Sequence, residues 1–248
     1  MSRFFIDASG IRGDQAFLDS NETHHAVSVF RVKKGDVLEL FDGKGNRFLA
    51  VAGEVSDGKL SARITERAIG RFASCAQVTL AIAVFRPERM EILIQKACEL
   101  GAYAVVPLIS ERSIIKLSQD RWESKIKRWR KIIQESCKQC GLAFSPEITA
   151  PDSLKNFMPK IKNYDLALIP TLEGQTQLLA QSLPPLPPRR LLALIGPEGD
   201  FSPGEVAAAL KAGAKPVSLG PLVMRSETAG IYILSAIHFF YSQHLPAT

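Results

Sequence analysis

Beyond residue 71, strand-length apolar runs alternate with amphipathic helical segments, and this alternation restricts the fold more than any other feature of the chain. Near-continuous apolar strands separated by helices are typical of a parallel sheet covered on both faces. The sequence therefore predicts an α/β domain over residues 72–248. The predicted strands are Val78–Val84, Ala104–Ile109, Glu147–Thr149, Asp165–Ile169, Leu191–Ile195 and Val217–Leu219. The predicted helices are Glu88–Leu100, Gln119–Gln139, a short one around Leu154, Gln175–Gln181, Pro203–Ala212 and Glu227–Gln243.

Residues 1–71 show a different pattern, in which short strands alternate with tight turns. The turn Asp42-Gly43-Lys44-Gly45 has the composition of a hairpin loop. A short helix fits Thr23–Phe30, and little helical periodicity is present elsewhere, so this region predicts a small β-barrel. Its predicted strands are Arg3–Asp7, Val37–Asp42, Arg47–Val55 and Lys59–Ala68. The segment Leu183–Arg190, LPPLPPRR, is predicted to be a non-helical surface connector.

The composition indicates a cytoplasmic enzyme or binding protein. Hydrophobic residues make up 46% of the chain and charged residues 23%, as in ordinary globular proteins. No apolar run approaches the roughly 20 residues that span a bilayer, and the first residues lack the pattern of a signal peptide. The net charge of +6 favours a polyanionic partner, although only weakly by itself.

The cysteine spacing gives little support to a metal site. Cys137 and Cys140 form a single CxxC pair late in a predicted helix, and a structural zinc site needs a second ligand pair. We therefore expect buried, reduced thiols and no bound metal.

Gly196–Phe201, with the sequence GPEGDF, is the first candidate site. It follows a predicted strand and leads into a helix with strong start signals, Ser202, Pro203 and Glu205. Turns at the carboxyl ends of parallel strands are where ligands bind in open sheets. The loop matches neither GxGxxG nor a P-loop. Its spacing is compatible with a ligand-binding loop and equally with a plain tight turn.

Leu219–Ala229, with the sequence LGPLVMRSETA, is the second candidate. It enters the last predicted helix, and Ser226 and Glu227 suit helix capping. Capping does not explain Arg225, because a positive charge is disfavoured at a helix N-terminus. A polar site facing a substrate is the alternative.

These two segments resemble the signature motifs of the RsmE family of 16S ribosomal RNA uridine-N3 methyltransferases, in the SPOUT superfamily. That family typically shows IGPEGGF followed by LGPRILRTETA at about this separation. The resemblance covers nearly the whole chain. Further matching stretches are Arg3-Phe4-Phe5, His24-His25, Asp42-Gly43-Lys44-Gly45, Lys96-Ala97-Cys98-Glu99-Leu100-Gly101, Arg112-Ser113 and Gln139-Cys140-Gly141.

The resemblance implies an α/β fold made of a C-terminal parallel-sheet SPOUT domain with a trefoil knot (72–248) and a small N-terminal PUA-like β-barrel that binds RNA (1–71). It also implies a homodimer that takes S-adenosylmethionine as cofactor and 16S ribosomal RNA, within the 30S subunit, as substrate. Neither a membrane nor a metal is involved. Carried over by motif, the cofactor-binding residues are Thr171, Leu172, Glu173, Gly196, Glu198, Gly199, Leu219, Gly220, Val223, Met224 and Thr228.

The chain departs from the family pattern at three positions. Asp200 replaces the second glycine of GPEGG, and aspartate tolerates left-handed backbone better than most residues. Leu142 and Leu222 stand where the family commonly has arginine. These changes put particular phosphate or substrate contacts in question, and not the fold.

Catalysis at uridine N3 requires loss of a proton and stabilisation of charge on the flanking carbonyl oxygens. We predict Arg225 as the stabilising group and consider Glu227 as the proton acceptor, with pure helix capping as its alternative. The helix Gln119–Gln139 has an apolar side with two tryptophans, expected to be core, and a basic remainder that includes Lys138. The predicted RNA-binding residues are Arg3, Arg12, Arg31, Lys125 and Arg128.

Two other functions are compatible with parts of the sequence. A non-catalytic RNA-binding or ribosome-assembly protein would share the charge and the barrel but would not need both motifs in order. A small-molecule α/β enzyme with a nucleotide cofactor would need a phosphate loop, which is absent. Measurable binding of S-adenosylmethionine separates the first alternative from the methyltransferase.

Overall fold

The computed structural model describes residues 2–70, 76–113, 119–172 and 174–242. The chain forms two compact units. The first consists of Met1–Phe72 with Gln134–Ser145, and the second of Ala73–Ile133 with Pro146–Thr248. The sequence-based division at residue 71 does not anticipate that Gln134–Ser145 groups with the first unit.

The first unit is a six-stranded sheet around one apolar core. Its strands follow the order β1-β4-β5-β6-β3-β2, in which β1 pairs with β4 in parallel and the other neighbours pair antiparallel. Phe4, Leu18, Leu40 and Ala50 are fully buried in its core. The strands are β1 Arg3–Phe5, β2 Ile11–Arg12, β3 Gln15–Phe17, β4 Val37–Phe41, β5 Asn46–Ser56 and β6 Lys59–Ile69.

The predicted hairpin turn is confirmed between β4 and β5, and its geometry follows from side-chain chemistry. The Asp42 carboxylate accepts hydrogen bonds from the backbone N–H groups of Lys44 (2.8 Å) and Asn46 (3.0 Å). Gly45 has φ +101°, and a Cβ atom there would lie inside the ring of Phe144. The strands β2 and β3 were not predicted, because two- and three-residue strands carry too little periodicity.

The second unit is built on a parallel sheet with the order β10-β8-β7-β13-β11-β14-β12, and β9 also pairs with β8. The central strands β7 and β13 pair over six residues and are buried along almost their whole length. This burial on both faces explains their continuous apolar sequence. The strands are β7 Gln77–Ala83, β8 Ala104–Ile109, β9 Glu147–Ile148, β10 Asp152–Ser153, β11 Leu166–Pro170, β12 Gln177–Leu178, β13 Arg190–Ile195 and β14 Lys215–Ser218.

Helices follow most of these strands, as predicted for an α/β domain. The predicted helix Gln175–Gln181 is wrong at its start, because Gln177–Leu178 pairs with β14 and the helix begins at Leu179. Thr23–Phe30 divides into α1 and a π-helical turn, His25–Val29. The α-helices are α1 Ser20–His24, α2 Pro87–Glu99, α3 Gln119–Cys140, α4 Leu154–Phe157, α5 Leu179–Ser182, α6 Pro203–Lys211 and α7 Ser226–Tyr241; 3-10 turns are Ala8–Gly10 and Met158–Asn163.

The α/β class is confirmed, with a parallel sheet and a separate N-terminal sheet. The segment preceding β13 contains no helix, as expected from its prolines. Gln243, the predicted end of the last helix, lies outside the described residues. The trefoil knot stays a prediction. None of the helices in the described part of the chain is both long and apolar enough to cross a bilayer.

Helix α3 has the predicted apolar side. Trp129, Ile133 and Cys137 are buried, which confirms that Trp129 belongs to a core and is not a stacking platform. Cys140 is exposed, contrary to the expectation of two buried thiols, because it lies at the end of the helix. Across the described ranges, no cluster of three histidine, cysteine or acidic side chains could hold a metal ion.

Lys138 corrects the predicted basic face of α3, since it is buried within the first unit. Its ammonium contacts Glu22 (2.8 Å) and Glu135 (2.7 Å), and the side chains of Lys138 and Glu22 are only 7% and 5% exposed. Burial by itself would lower the pKa of Lys138, but hydrogen bonds to Glu135 and Glu22 outweigh it and raise that pKa above its ordinary value. The stabilisation that comes from the raised pKa of Lys138 is therefore fully present from neutral pH up to about pH 10.4, and it is lost as the pH rises through the pKa of the folded state.

Replacement of Lys138 tests this buried pair. We expect Lys138→Met to lower the free energy of unfolding by about 3–5 kcal/mol at pH 7, because Glu22 is left buried without its partner. The double variant Glu22→Gln, Lys138→Met should recover most of that loss. Urea denaturation measures both.

Lys34→Met serves as the matched control, since Lys34 and Glu54 form an ion pair whose side chains are 71% and 76% exposed. Its effect should stay below about 1 kcal/mol. Equal losses for Lys138→Met and Lys34→Met would contradict the structural role given to Lys138.

Candidate functional site

Three neighbouring strands of the second unit end in loops that share one cavity. The strands β13, β11 and β14 are adjacent and parallel, so their carboxyl ends lie at one edge of the sheet. The cavity has a volume of about 250 Å³. Its lining residues are Pro170, Thr171, Leu172, Ile195, Gly196, Pro197, Glu198, Gly199, Asp200, Val217, Ser218, Leu219, Gly220, Leu222, Val223, Met224, Arg225, Ser226 and Ala229.

Asp200 ties the loop after β13 to the loop after β11. Its Oδ2 accepts hydrogen bonds from the Thr171 hydroxyl and from the Leu172 N–H, both at 3.2 Å. Its Oδ1 accepts from the Phe201 N–H at 2.7 Å. The residue adopts φ +66°, in the left-handed region that asparagine and aspartate enter more easily than most residues. One carboxylate therefore fixes two walls of the cavity.

Gly196 is required by the same arrangement. A Cβ atom at this position would lie 2.8 Å from Asp200 Oδ1 and 2.8 Å from the Phe201 nitrogen. Any side chain here would displace the carboxylate or the backbone beside it. Glycine is therefore required at position 196 because the loop packs closely against itself there.

The loop after β14 carries apolar side chains and the start of α7. Leu222 and Val223 are 74% and 77% exposed, which is unusual for large apolar residues in a loop. Arg225 is the N-cap residue of α7, and its side chain makes no capping hydrogen bond. Within the described ranges Arg225 also forms no ion pair. Its guanidinium is thus available to a ligand at the edge of the cavity.

Arg89, on the first turn of α2, joins the loop after β13 to the start of α7. Its Nη1 lies 3.4 Å from Glu198 Oε1, and its Nε lies 3.6 Å from Glu227 Oε1. These three side chains are 28%, 33% and 14% exposed. Glu227 Oε2 is buried without a hydrogen-bond partner among the described residues. Arg89 was not predicted as a site residue, because no local sequence pattern connects it with these two distant carboxylates.

The capping box of α6 supports the site from the other side. Ser202 and Glu205 form the predicted reciprocal bonds, and Glu205 Oε1 also accepts the N–H of Glu111 at 2.8 Å. Arg112, next to it, donates to the carbonyl oxygens of Gly199 and Phe201. The loop that follows β8 is in this way attached to the loop that follows β13.

Most of the predicted cofactor-binding residues line the cavity. The exceptions are Glu173, which lies outside the described residues, and Thr228, which is exposed and absent from the lining. Of the two predicted catalytic residues, Arg225 lines the cavity and Glu227 does not, since it pairs with Arg89. Leu142, where an arginine was expected from the resemblance, is buried in the structure.

The cavity has the properties of a site for a small, largely apolar ligand with a few polar groups. Leucine, valine, isoleucine and methionine side chains form much of its lining, and glycines leave backbone groups accessible. The only charged side chains among its described lining residues are Glu198, Asp200 and Arg225. Such a lining suits a heterocyclic ring held by backbone hydrogen bonds.

Two family models match the chain. The model described as an RNA methyltransferase domain matches residues 73–238, and the model described as an RNA methyltransferase PUA domain matches residues 18–65. Both matches agree with the resemblance read from the motifs.

Several proteins that are similar over almost the whole length have methyltransferase names. The chain is 30% identical to the ribosomal RNA small subunit methyltransferase E of Mesomycoplasma hyopneumoniae, over 95% of this chain and 98% of the relative. A Legionella pneumophila methyltransferase structure with bound SAM shows 32% identity, a TM-score of 0.87 and 96% coverage of both chains. A Neisseria gonorrhoeae ribosomal RNA small subunit methyltransferase E, bound to S-adenosyl methionine, shows 26% identity and a TM-score of 0.87, over 97% of this chain and 98% of the other.

Gly196→Ala tests the packing of the loop after β13. We expect it to lower the free energy of unfolding by about 1–3 kcal/mol, because the new methyl group collides with Asp200 and the backbone. Gly204→Ala is the matched control, since its Cβ would meet only Ser202 Oγ, at 3.9 Å. The free energy of unfolding of Gly204→Ala should equal that of the wild type or exceed it by up to about 1 kcal/mol. Thermal or urea denaturation that ranks the two in the opposite order would refute this description of the loop.

Proposed function

Since this chain belongs to the RNA methyltransferase family, we propose that it transfers a methyl group from S-adenosylmethionine to N3 of a uridine in 16S ribosomal RNA. The observation that carries the proposal is the cavity at the ends of β13, β11 and β14, lined by both motifs that resemble the RsmE family. Relatives named for small-subunit ribosomal RNA, with bound S-adenosylmethionine in two similar structures, support the substrate and the cofactor. The choice of uridine N3 rests on the motif resemblance.

The residues of the cavity fit the proposed cofactor. Apolar side chains of the loop after β14, such as Val223 and Met224, suit the faces of an adenine ring. Backbone groups of Gly196 and Leu219 are proposed to bind its ring nitrogens and ribose hydroxyls. Gly220 also belongs to the proposed set, although its N–H and carbonyl oxygen already bond to the Ser218 hydroxyl. Thr171, Leu172, Glu198 and Gly199 complete the proposed binding set, together with Glu173 and Thr228 from the resemblance. When bound, S-adenosylmethionine supplies a methyl group activated by a positively charged sulfur.

Arg225 is the proposed stabiliser of the reacting uridine. Loss of the N3 proton places negative charge on the two flanking carbonyl oxygens, and a guanidinium can donate two hydrogen bonds to such oxygens. Arg225 lines the cavity and has no ionic partner within the described residues. A preorganised donor of this kind stabilises charge that develops only as the reaction proceeds.

Glu227 is better assigned to positioning than to accepting the N3 proton. Its Oε1 is 3.6 Å from Arg89 Nε, and the residue is absent from the cavity lining. Glu227 thus orients Arg89, which also reaches Glu198 at 3.4 Å.

Exposed cations are the proposed contacts to RNA phosphates. Arg12 and Arg31 on the first unit are exposed, and Lys125 on α3 is partly exposed. None of these three forms an ion pair within the described part of the chain. Arg3 is paired with Glu39 at a nitrogen–oxygen distance of 2.8 Å, and Arg128 is paired with Glu91 at 2.6 Å. Each of these arginines must therefore exchange its carboxylate partner for an RNA phosphate before it can contribute to RNA binding.

Two further parts of the proposal concern assembly and location. A homodimer is proposed from the resemblance, and sedimentation velocity measures it directly. We also propose that the protein is cytoplasmic and acts on the 30S subunit, because the proposed substrate is 16S ribosomal RNA.

Methyl transfer to ribosomal RNA tests the proposed function. Purified protein, incubated with S-adenosylmethionine carrying a labelled methyl group, should label 16S RNA in 30S subunits, and mass spectrometry should find 3-methyluridine. Subunits and bare RNA are tested side by side, because a folded RNA surface can be needed for recognition. Cofactor binding without methyl transfer to either substrate would favour another RNA. Absence of cofactor binding would favour the non-catalytic RNA-binding alternative.

Arg225→Ala tests the catalytic assignment. We expect kcat to fall by about 100- to 1000-fold with nearly unchanged affinity for S-adenosylmethionine, since one charge-stabilising donor is removed. The kcat of Arg225→Lys should lie between those of the wild type and Arg225→Ala, because lysine keeps the positive charge but lacks the planar guanidinium. Glu227→Gln should lose much less activity than Arg225→Ala. Weakened cofactor binding with normal turnover at saturation would overturn the role of Arg225.

Charge removal on the first unit tests the RNA contacts. Arg12→Ala and Arg31→Ala should weaken binding to 16S RNA and lower the slope of log affinity against log salt concentration by about 0.7–0.9 for each lost phosphate contact. Lys34→Ala is the control with the same charge change, because Lys34 already pairs with Glu54 at 2.7 Å. Identical slopes for all three variants would rule out the assigned contacts.

A further inference from the structure

Asp200 is a carboxylate in the cavity that has no cationic partner. It lines the cavity, and its oxygens are held by the Thr171 hydroxyl and by the N–H groups of Leu172 and Phe201. All three donors are neutral, so the negative charge of Asp200 is oriented by them and not cancelled. Within the described residues, no ion pair involves Asp200.

The other charges of the lining make this carboxylate stand out. Glu198 has a cationic partner, Arg89, at 3.4 Å, which it shares with Glu227. Arg225 is the only cationic side chain among the described lining residues, and it would disfavour a positively charged ligand. Asp200 lies on a different loop from Arg225 and is the carboxylate of the described lining that has no cationic partner.

Aspartate is not the residue that adopts the backbone conformation at position 200 most easily. Asp200 has φ +66°, a conformation in which glycine is unstrained, and the RsmE-like motif has glycine at this position. Gly196 leaves the space that the Asp200 carboxylate occupies, since its Cβ would lie 2.8 Å from Asp200 Oδ1. Aspartate at this position therefore does two things that glycine would not: it joins two loops by hydrogen bonds, and it adds a negative charge to the lining.

We infer that Asp200 makes the cavity favour the cationic methyl donor over its neutral thioether product. This inference rests on the proposed function. S-Adenosylmethionine and S-adenosylhomocysteine differ by one methyl group and by one positive charge on sulfur, and they share the same adenosine and amino-acid parts. A fixed carboxylate in a cavity of low polarity attracts the charged sulfur and offers nothing comparable to the neutral one. Product release and resistance to product inhibition follow from the same difference.

Calorimetric titration of the full chain with three probes tests the inference. The probes are S-adenosylmethionine, S-adenosylhomocysteine and sinefungin, in which an amine-bearing carbon replaces the methylated sulfur. Sinefungin separates charge from methyl contact, because it is cationic and has no S-methyl group. The measured quantity is the ratio of the dissociation constants for S-adenosylhomocysteine and for each cationic probe.

Asp200→Asn and Asp200→Gly remove the charge in two ways. Asparagine keeps a side-chain acceptor for the neighbouring loop, whereas glycine relieves the backbone and removes the side chain altogether. We expect the preference for both cationic probes over S-adenosylhomocysteine to fall about fivefold in each variant, because each variant removes one nearby negative charge. Glu99→Gln, at the exposed end of α2, makes the same charge change far along the chain and should leave the ratio unchanged.

Each remaining outcome overturns a defined claim. If all three probes weaken equally in both Asp200 variants, or if none changes, Asp200 only joins two loops and the inference fails while the proposed function stands. If only S-adenosylmethionine is affected and sinefungin is not, methyl contact and not charge is responsible, which also refutes the inference. If the wild type binds none of the probes, the proposed function fails as well.

Discussion

Parallel pairing of β13 with β11, and of β11 with β14, is the constraint on which the site depends. Parallel strands share a direction, so the loops that follow them emerge at one edge of the sheet. Residues near 171, 196–201 and 219–225 are thereby brought together although up to 54 positions separate them in the sequence. A register shift of one residue in any of these pairs would move the loop that follows by about 3.3 Å along the strand direction and so change the cavity.

Two ionic groups then hold the loops in place. The Asp200 carboxylate connects the loops after β11 and β13, and Arg89 connects the loop after β13 to the start of α7. Both use long-range partners, and neither is part of a regular hydrogen-bonded ladder. The central sheet supplies stability through burial, whereas these few polar contacts determine the shape of the cavity. Because the buried sheet and not the loops supplies most of the stability, the charge of Asp200 can act on ligand preference without altering the fold.

The sequence predicts the parts of the molecule in which local pattern and burial agree. The strands β7, β8, β11 and β13, the capping box of α6 and the hairpin turn at Asp42 all combine a clear periodicity with suitable turn residues. The start of α5 was wrong because edge pairing of Gln177 and Leu178 with β14 overrides helical propensity. The prediction that Lys138 belongs to the basic face of α3 was wrong, because its buried partner Glu22 lies 116 positions away in the sequence. The motif resemblance identifies most residues of the cavity, yet the pairing of Arg89 with Glu198 and Glu227 depends on tertiary geometry that no single segment encodes.

The most direct test of the central claim is a crystal structure of this chain grown with S-adenosylmethionine. The account predicts electron density for the ligand between the loops Gly196–Asp200 and Leu219–Met224, with the adenine against the apolar side chains of the second loop. Density at another place on the chain, or an empty cavity at saturating ligand concentration, would contradict it.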